Sequence, residues 1–295
     1  MSYADQKFIE TAKRILDEGE EVPVRAIWPD GTPAKTLKVF DVHTVYDLSK
    51  GEFPALTLRP VNLKACVDEI LWIFQKKSND IKELNSHIWD QWATSDGKIG
   101  LAYGYQIGNR FRPVNVEYMH SDGSCTGEIL ELDQTDYIIH ELIHNPTSRR
   151  IITDIYNIDD LSKMGLDPCA FLTQWNVRTD KSGTKYLDMM LTQRSQDFLT
   201  ANNWNVCQYA ALLIFIAKAT GYKPGKLIHQ IGDCHIYDRH IDMIKEMITR
   251  EPYEAPKYEL NCNKEEPSFY DFTELDIKLI DYKHHDQIKN IPVAK

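Results

Sequence analysis

The run at residues 205–220 constrains this chain more than any other stretch, being of helical length and apolar on every side through residues 210–217. A membrane span requires about 20 consecutive apolar residues. This run falls well short of that, so its expected place is the middle of a folded core. The chain has 295 residues, enough to build such a core without a disulfide or metal staple. At about 150 residues per domain that length allows one or two domains. No linker, internal repeat or long charge run divides it, so one domain over residues 1–295 is expected.

Charge narrows the class of partner. With 44 acidic against 34 basic residues the formal charge is -10, which argues against a body built to coat nucleic acid. A small basic pocket for an anionic ligand stays compatible with it. Six cysteines stand at 66, 125, 169, 207, 234 and 262 without a CxxC pair. The opening Met-Ser-Tyr-Ala-Asp-Gln is polar and reads as neither a signal nor a transit sequence. Reduced thiols, a cytoplasmic setting and no membrane contact are the expectations.

Periodicity and turn signals place the elements. Residues 5–18 carry Phe8, Ala12, Ile15 and Leu16 at helical spacing, ended by Gly19. A turn at residues 30–33 precedes a β-branched strand over 35–45. Residues 66–77 read as a buried helix. Residues 134–144 form another, stopped at Asn145-Pro146 because the residue before proline avoids helical geometry. Residues 171–177 and 185–192 flank Asp180-Lys-Ser-Gly183 as a hairpin, and 227–233 form a late strand. Helices interleaved with hairpin-linked strands, without repeating βαβ units, favour an α+β fold.

One motif points to metal chemistry. His140-Glu141-Leu-Ile-His144 fits H-E-x-x-H on a helix, with two histidines on one face and a glutamate as general base. A zinc hydrolase of that kind needs a third protein ligand. No glutamate follows until Glu246, and Asn-Pro-Thr-Ser-Arg-Arg follows His144 where an extended motif would place a glycine and a third histidine. Asp154 is the remaining candidate. An amphipathic helix burying Ile138, Ile139 and Leu142 accounts for the same residues, and no metal is expected.

Arginines and one cysteine mark a second site. Ser148-Arg149-Arg150, Arg25 and Arg194-Ser195 are spread along an acidic chain in a way that suits a phosphate pocket, since guanidinium groups bind phosphate oxygens through paired donors. Cys169 follows Pro168 at the start of an apolar strand. Facing such a pocket, its thiol would be made more acidic by the positive field, as a nucleophile near neutral pH requires.

These segments resemble the thymidylate synthases along nearly the whole chain. The likeness is carried by Glu69-Ile-Leu-Trp72, His87-Ile-Trp-Asp-Gln-Trp92, Tyr103-Gly104, Ser148-Arg-Arg-Ile-Ile152, Asp167-Pro-Cys169, Gln193-Arg-Ser-Gln-Asp197, Asn205 and Gly232-Asp-Cys-His-Ile-Tyr237. Tyr3-Ala-Asp-Gln6, residues 51–60 and Pro168-Cys-Ala-Phe171 resemble its streptococcal-type branch. The resemblance implies a mixed β-sheet flanked by helices, with sheets packed back to back in a homodimer. It implies reductive methylation of dUMP to dTMP by 5,10-methylenetetrahydrofolate, the donor of both carbon and hydride. Cys169 would be the thiolate that attacks carbon 6 of the uracil, Glu69 the general acid/base acting through water, and Tyr103 a helper in removing the carbon 5 proton. Arg194 would hold the phosphate and help to ionise the cysteine. Arg25 and Ser195 would share the phosphate, and Arg149 and Arg150 would cross to the partner's site. Asn205 would read the uracil edge, with Gln193 also on the nucleotide side, and His235 and Tyr237 would bond the deoxyribose hydroxyl. Trp89, Trp92, Asp197 and the terminal segment at Ala294 would border the folate.

Three departures fall near that folate side. Ala201 and Asn203 stand where most members have glycine and proline, Ala170 where many have histidine, and Lys295 where a hydrophobic residue normally closes the site. A dUMP hydroxymethylase, which lets water attack instead of hydride, is the alternative they raise.

Overall fold

The computed structural model describes residues 2–119, 122 and 124–294. The apolar run of residues 205–220 lies in helix α5 (Asn202–Ala219), and fourteen of the helix's 18 residues are buried. It packs on helix α2 (Leu63–Phe74) on one side and on strands β7 (Lys185–Asp197) and β8 (Lys223–Tyr237) on the other. β7 and β8 are parallel neighbours, so the chain must cross over between them, and α5 is that crossover.

The main sheet has six strands in the order β1-β2-β8-β7-β6-β5, comprising β1 (Glu20–Ile27), β2 (Pro33–Asp47), β5 (Ile152–Asp154) and β6 (Ala170–Thr179) besides β7 and β8. Every pairing but β7 with β8 is antiparallel, which makes the sheet mixed, as expected. Helix α1 (Tyr3–Glu18) lies on β2. Two small hairpins stand apart from the sheet: β3 (Arg112–Met119) with β4 (Cys125–Leu132), and β9 (Lys257–Leu260) with β10 (Ile277–Ile280). The remaining helices are α3 (Gly104–Gly108), α4 (Gln134–His144) and α6 (Ile241–Met247).

The expected helices and strands are all present, with shifted ends. α2 starts three residues earlier than its periodicity suggests because Asn62 caps it, accepting from the Ala65 amide at 3.2 Å. It stops at Phe74, and the Gln75 side-chain Nε2 then donates to the carbonyls of Phe269 and Phe272. α5 begins at Asn202 because the polar residues ahead of its apolar run find buried partners. Asn202 donates to Gln196 at 2.7 Å, and Asn203 clasps the Pro54 carbonyl and the Leu56 amide. Asn203, one of the departures noted above, thus pins the 54–56 segment against the helix.

Gly104 fixes the approach of α3 to the end of α2. A Cβ there would stand 2.1 Å from the Ser78 carbonyl oxygen and 2.6 Å from its nitrogen, both backbone atoms. Gly104→Ala is therefore expected to lower stability by about 2–4 kcal/mol, at or beyond the usual range for overpacking. A urea titration returning a change below about 0.5 kcal/mol would contradict this contact.

Candidate active site

Residues from three elements converge at the carboxyl end of the β6–β7 hairpin. The turn Asp167-Pro168-Cys169 leads into β6, and Arg194 of β7 wraps over it. The Arg194 guanidinium donates through Nε to the Pro168 carbonyl at 2.9 Å and through Nη2 to the Asp167 carbonyl at 2.8 Å. Nη2 also lies 3.8 Å from Cys169 Sγ. The Cys169 backbone N–H donates to the phenol oxygen of Tyr103 at 3.3 Å. Tyr103 itself has φ 47° and ψ -105°, a conformation that L-residues with a side chain rarely adopt and that costs about 1–3 kcal/mol. Its buried ring edge meets Trp89 at a centroid distance of 4.8 Å.

Glu69 lies on α2 and is buried. Oε1 accepts from the Trp89 indole at 2.8 Å and Oε2 from the Trp204 indole at 2.6 Å. Burial raises its pKa to about 7, against the lowering effect of the two indole hydrogen bonds.

The cysteine corrects the expectation of an acidified thiol. Burial pushes the Cys169 pKa above its ordinary value, and the Arg194 charge only partly offsets this. Arg25, Arg149 and Arg150 are exposed and do not contribute to that balance. Arg25 acts instead on Tyr237, and Arg149 lines a groove of about 300 Å³ with Trp175, Asp188 and Ile228.

Asn205 sits in a chain of buried amides. Gln193 donates to Asn205 Oδ1 at 3.2 Å, and Asn205 Nδ2 donates to Gln208 at 2.9 Å. The Gln193 oxygen accepts from Gln196 at 2.9 Å and is bonded by His229 Nε2. Burial holds His229 down to a pKa of about 3, so its ring is neutral and Nε2 donates. That orientation fixes which end of each amide is donor, through to Asn205. His235 pairs with Asp233 at 2.7 Å and stacks edge-on against Tyr237. Ser195 is half-buried on β7.

On the other side, Trp92 meets Trp89 edge-on at 5.5 Å. Asp197 accepts from the Leu199 and Thr200 amides. A cavity of about 210 Å³ is lined by Arg59, Asn62, Thr200, Trp204 and Ile291, and Ala294 is half-buried. Lys295 lies outside the described residues. Trp204, Gln208, His229 and His240 were not singled out from sequence. Polar side chains interrupting apolar periodicity, as Gln208 does within α5, were the signal.

The H-E-x-x-H residues lie on α4 with the His140 and His144 rings 4.5 Å apart. Asp154, the candidate third ligand, instead accepts from the Tyr156 amide. No group of three histidine, cysteine or acidic side chains among the described residues is placed to hold a metal ion, and no described helix is long and apolar enough to cross a membrane.

Comparison with known proteins decides the family, because the thymidylate synthase family model matches residues 6–294. This chain belongs to the thymidylate synthase family. The thymidylate synthase of Bacillus licheniformis is 45% identical over 98% of both chains, and that of Bacillus phage phi3T is 44% identical over the same share. The solved structure of the thermostable thymidylate synthase A from Bacillus subtilis superposes with a TM-score of 0.84 at 41% identity, covering 99% of each chain. These relatives come from Bacillus and one of its phages and do not confirm the streptococcal-type branch. Thymidylate synthases are methyltransferases that use 5,10-methylenetetrahydrofolate as co-substrate, and the fold is the one expected of the family.

Proposed function

We propose that this chain makes dTMP from dUMP through a covalent bond between Cys169 Sγ and carbon 6 of the uracil. The observation that carries the reading is the contact of Arg194 with both the Cys169 turn and the sulfur. One guanidinium is thereby able to hold the nucleotide phosphate and steady the thiolate. As the carbon 6–sulfur bond forms, the thiol gives up its proton to water in the site, and the Arg194 charge steadies the sulfur anion that attacks. Electron density moves to carbon 5 and the carbonyl oxygen at position 4, and a nearby proton donor stabilises that oxygen.

Glu69 is the proton donor and acceptor, acting through water. Tyr103, tied to the cysteine amide, assists removal of the carbon 5 proton. Arg25 and Ser195 share the phosphate. Asn205, oriented by Gln193, accepts from N3–H and donates to the position 4 oxygen. His235 and Tyr237 meet the deoxyribose hydroxyl. Trp89, Trp92, Asp197 and Ala294 border the folate, which supplies the one-carbon unit and the hydride when bound.

Residues 1–295 act as one domain in a homodimer. Support comes from the exposed Arg149 and Arg150, neither ion-paired among the described residues, and from the half-buried Met190 and Ile228 that line a groove with Arg149. A second copy packed there would receive both arginines at its own phosphate site.

Mixing the protein with 5-fluoro-dUMP and methylenetetrahydrofolate tests the reading, because fluorine at carbon 5 cannot leave as a proton does. A covalent ternary adduct on the peptide containing Cys169 is expected by mass spectrometry. Its absence, with both ligands saturating, would overturn the assignment. With dUMP itself, dihydrofolate should accumulate; tetrahydrofolate with hydroxymethylated nucleotide would instead mark the hydroxymethylase.

A further inference from the structure

His240 is 1% exposed, in the turn after β8 that leads into α6. Its Nε2 lies 2.8 Å from the carbonyl oxygen of Pro292, in the segment that ends the described chain. Its Nδ1 lies 3.7 Å from Asp197 Oδ1 and has no hydrogen-bond partner. A carbonyl and a carboxylate both accept, so the ring is held between two acceptors. Either neutral tautomer satisfies one of them and turns a nitrogen lone pair on the other. The imidazolium alone faces both with a proton, donating to the Pro292 carbonyl and lying at ion-pair distance from Asp197.

We propose that His240 is a positioning residue, held as an imidazolium, that ties the carboxylate of Asp197 to residues 291–294 and so keeps that segment closed over the folate side of the site. The other groups around the ring agree with a cation there. Trp28 and Tyr237 meet the ring in T-shaped contacts, with centroids 5.9 Å and 5.6 Å away, and wall it off without offering a hydrogen bond. Asp238 adds a negative field. Arg239 is turned over Trp28 and paired with Asp30 at 2.8 Å. Arg59, whose charge Asp197 favours, donates to the Leu199 carbonyl. Burial alone would lower the pKa of His240, but Asp197 and the Pro292 carbonyl outweigh it and leave it above its ordinary value.

A histidine whose pKa is raised in the closed state favours closure at low pH, and closure weakens as pH rises through that pKa. The inference rests on the proposed folate contact of Asp197 only for its kinetic consequence.

Three measurements test it. Ring nitrogen spectra of the wild-type protein near pH 6 should show both His240 nitrogens protonated; a single neutral tautomer there would overturn the proposal without any variant. Methyl relaxation at Ile291 and Val293 should report an ordered segment at about pH 6 that loosens toward about pH 9. In His240→Gln, which cannot be charged, the segment should be loose at both. Order that is insensitive both to pH and to the substitution would overturn the latch. In turnover, His240→Gln should raise KM for methylenetetrahydrofolate about tenfold, the worth of one charge-assisted hydrogen bond, and leave KM for dUMP unchanged. Equal loss for both substrates would mean general damage and would count against it. If ring and methyl data hold while KM for folate does not move, the latch stands and the folate reading of Asp197 fails.

Discussion

Replacing Cys169 by serine is expected to lower turnover by about four to six orders of magnitude while dUMP affinity changes less than about threefold. The two effects separate because of how the turn is built. Arg194 holds the backbone carbonyls of Asp167 and Pro168 and donates to them rather than depending on the sulfur. A serine therefore leaves the guanidinium in place for the phosphate. What it removes is the atom able to ionise and attack carbon 6, since an alcohol beside one arginine stays protonated near neutral pH. Isothermal titration with dUMP and a sensitive turnover assay read the two halves. Residual activity above about 1% of wild type would show that another group does the chemistry.

Glu69→Gln is the second large effect, and it separates chemistry from stability. Loss of a general acid/base lowers kcat by about 10²–10⁴-fold. Stability should move the other way with pH. The folded pKa of Glu69 is about 7, against an ordinary 4.5, so the native state holds a proton that the unfolded chain has already lost between those values. The wild-type protein accordingly loses stability as pH rises through that window, by about 3 kcal/mol in total. The glutamine variant lacks this term. It begins with a handicap, because both indole N–H groups of Trp89 and Trp204 point at acceptors and an amide offers only one oxygen, a loss of about 1–3 kcal/mol. Its stability relative to wild type should therefore improve by about 3 kcal/mol between pH 4 and pH 8. Denaturant titrations at both ends measure this; a constant difference would mean that Glu69 titrates normally.

The fold was legible where burial is complete. The apolar run in α5 located the core helix, and the Asp180-Lys-Ser-Gly183 turn between two strand segments located the hairpin beside Cys169 and bearing Arg194. β1 was missed because its pattern is that of an edge. Glu20, Glu21 and Pro23 protect an open strand from pairing further and dilute the signal of a strand. The two small hairpins bury one side or less and show little periodicity. The site divides along the same line. Cys169, Arg194 and Glu69 stand in local patterns that carry the family resemblance. Trp204 and His240 have meaning only through groups far off in sequence, Glu69 and Pro292, and nothing local marks them. The direction of the Cys169 shift was misjudged for the same reason: arginines can be counted in a sequence, whereas the desolvation that outweighs them is a property of packing.

That burial has a consequence for the protein outside its catalytic cycle. Oxidation by peroxide proceeds through the thiolate and needs access to the sulfur. In the resting protein both are restricted, because Cys169 is half-buried and its thiol is held neutral. A chain in which the β6–β7 hairpin persists while the packing around it has opened would keep Arg194 beside the sulfur and lose the desolvation. Such a state carries a more acidic and more accessible thiol than the native one. Oxidative inactivation should then follow the fraction of partly opened molecules rather than the total enzyme, and a bound nucleotide that holds the site shut protects its own nucleophile.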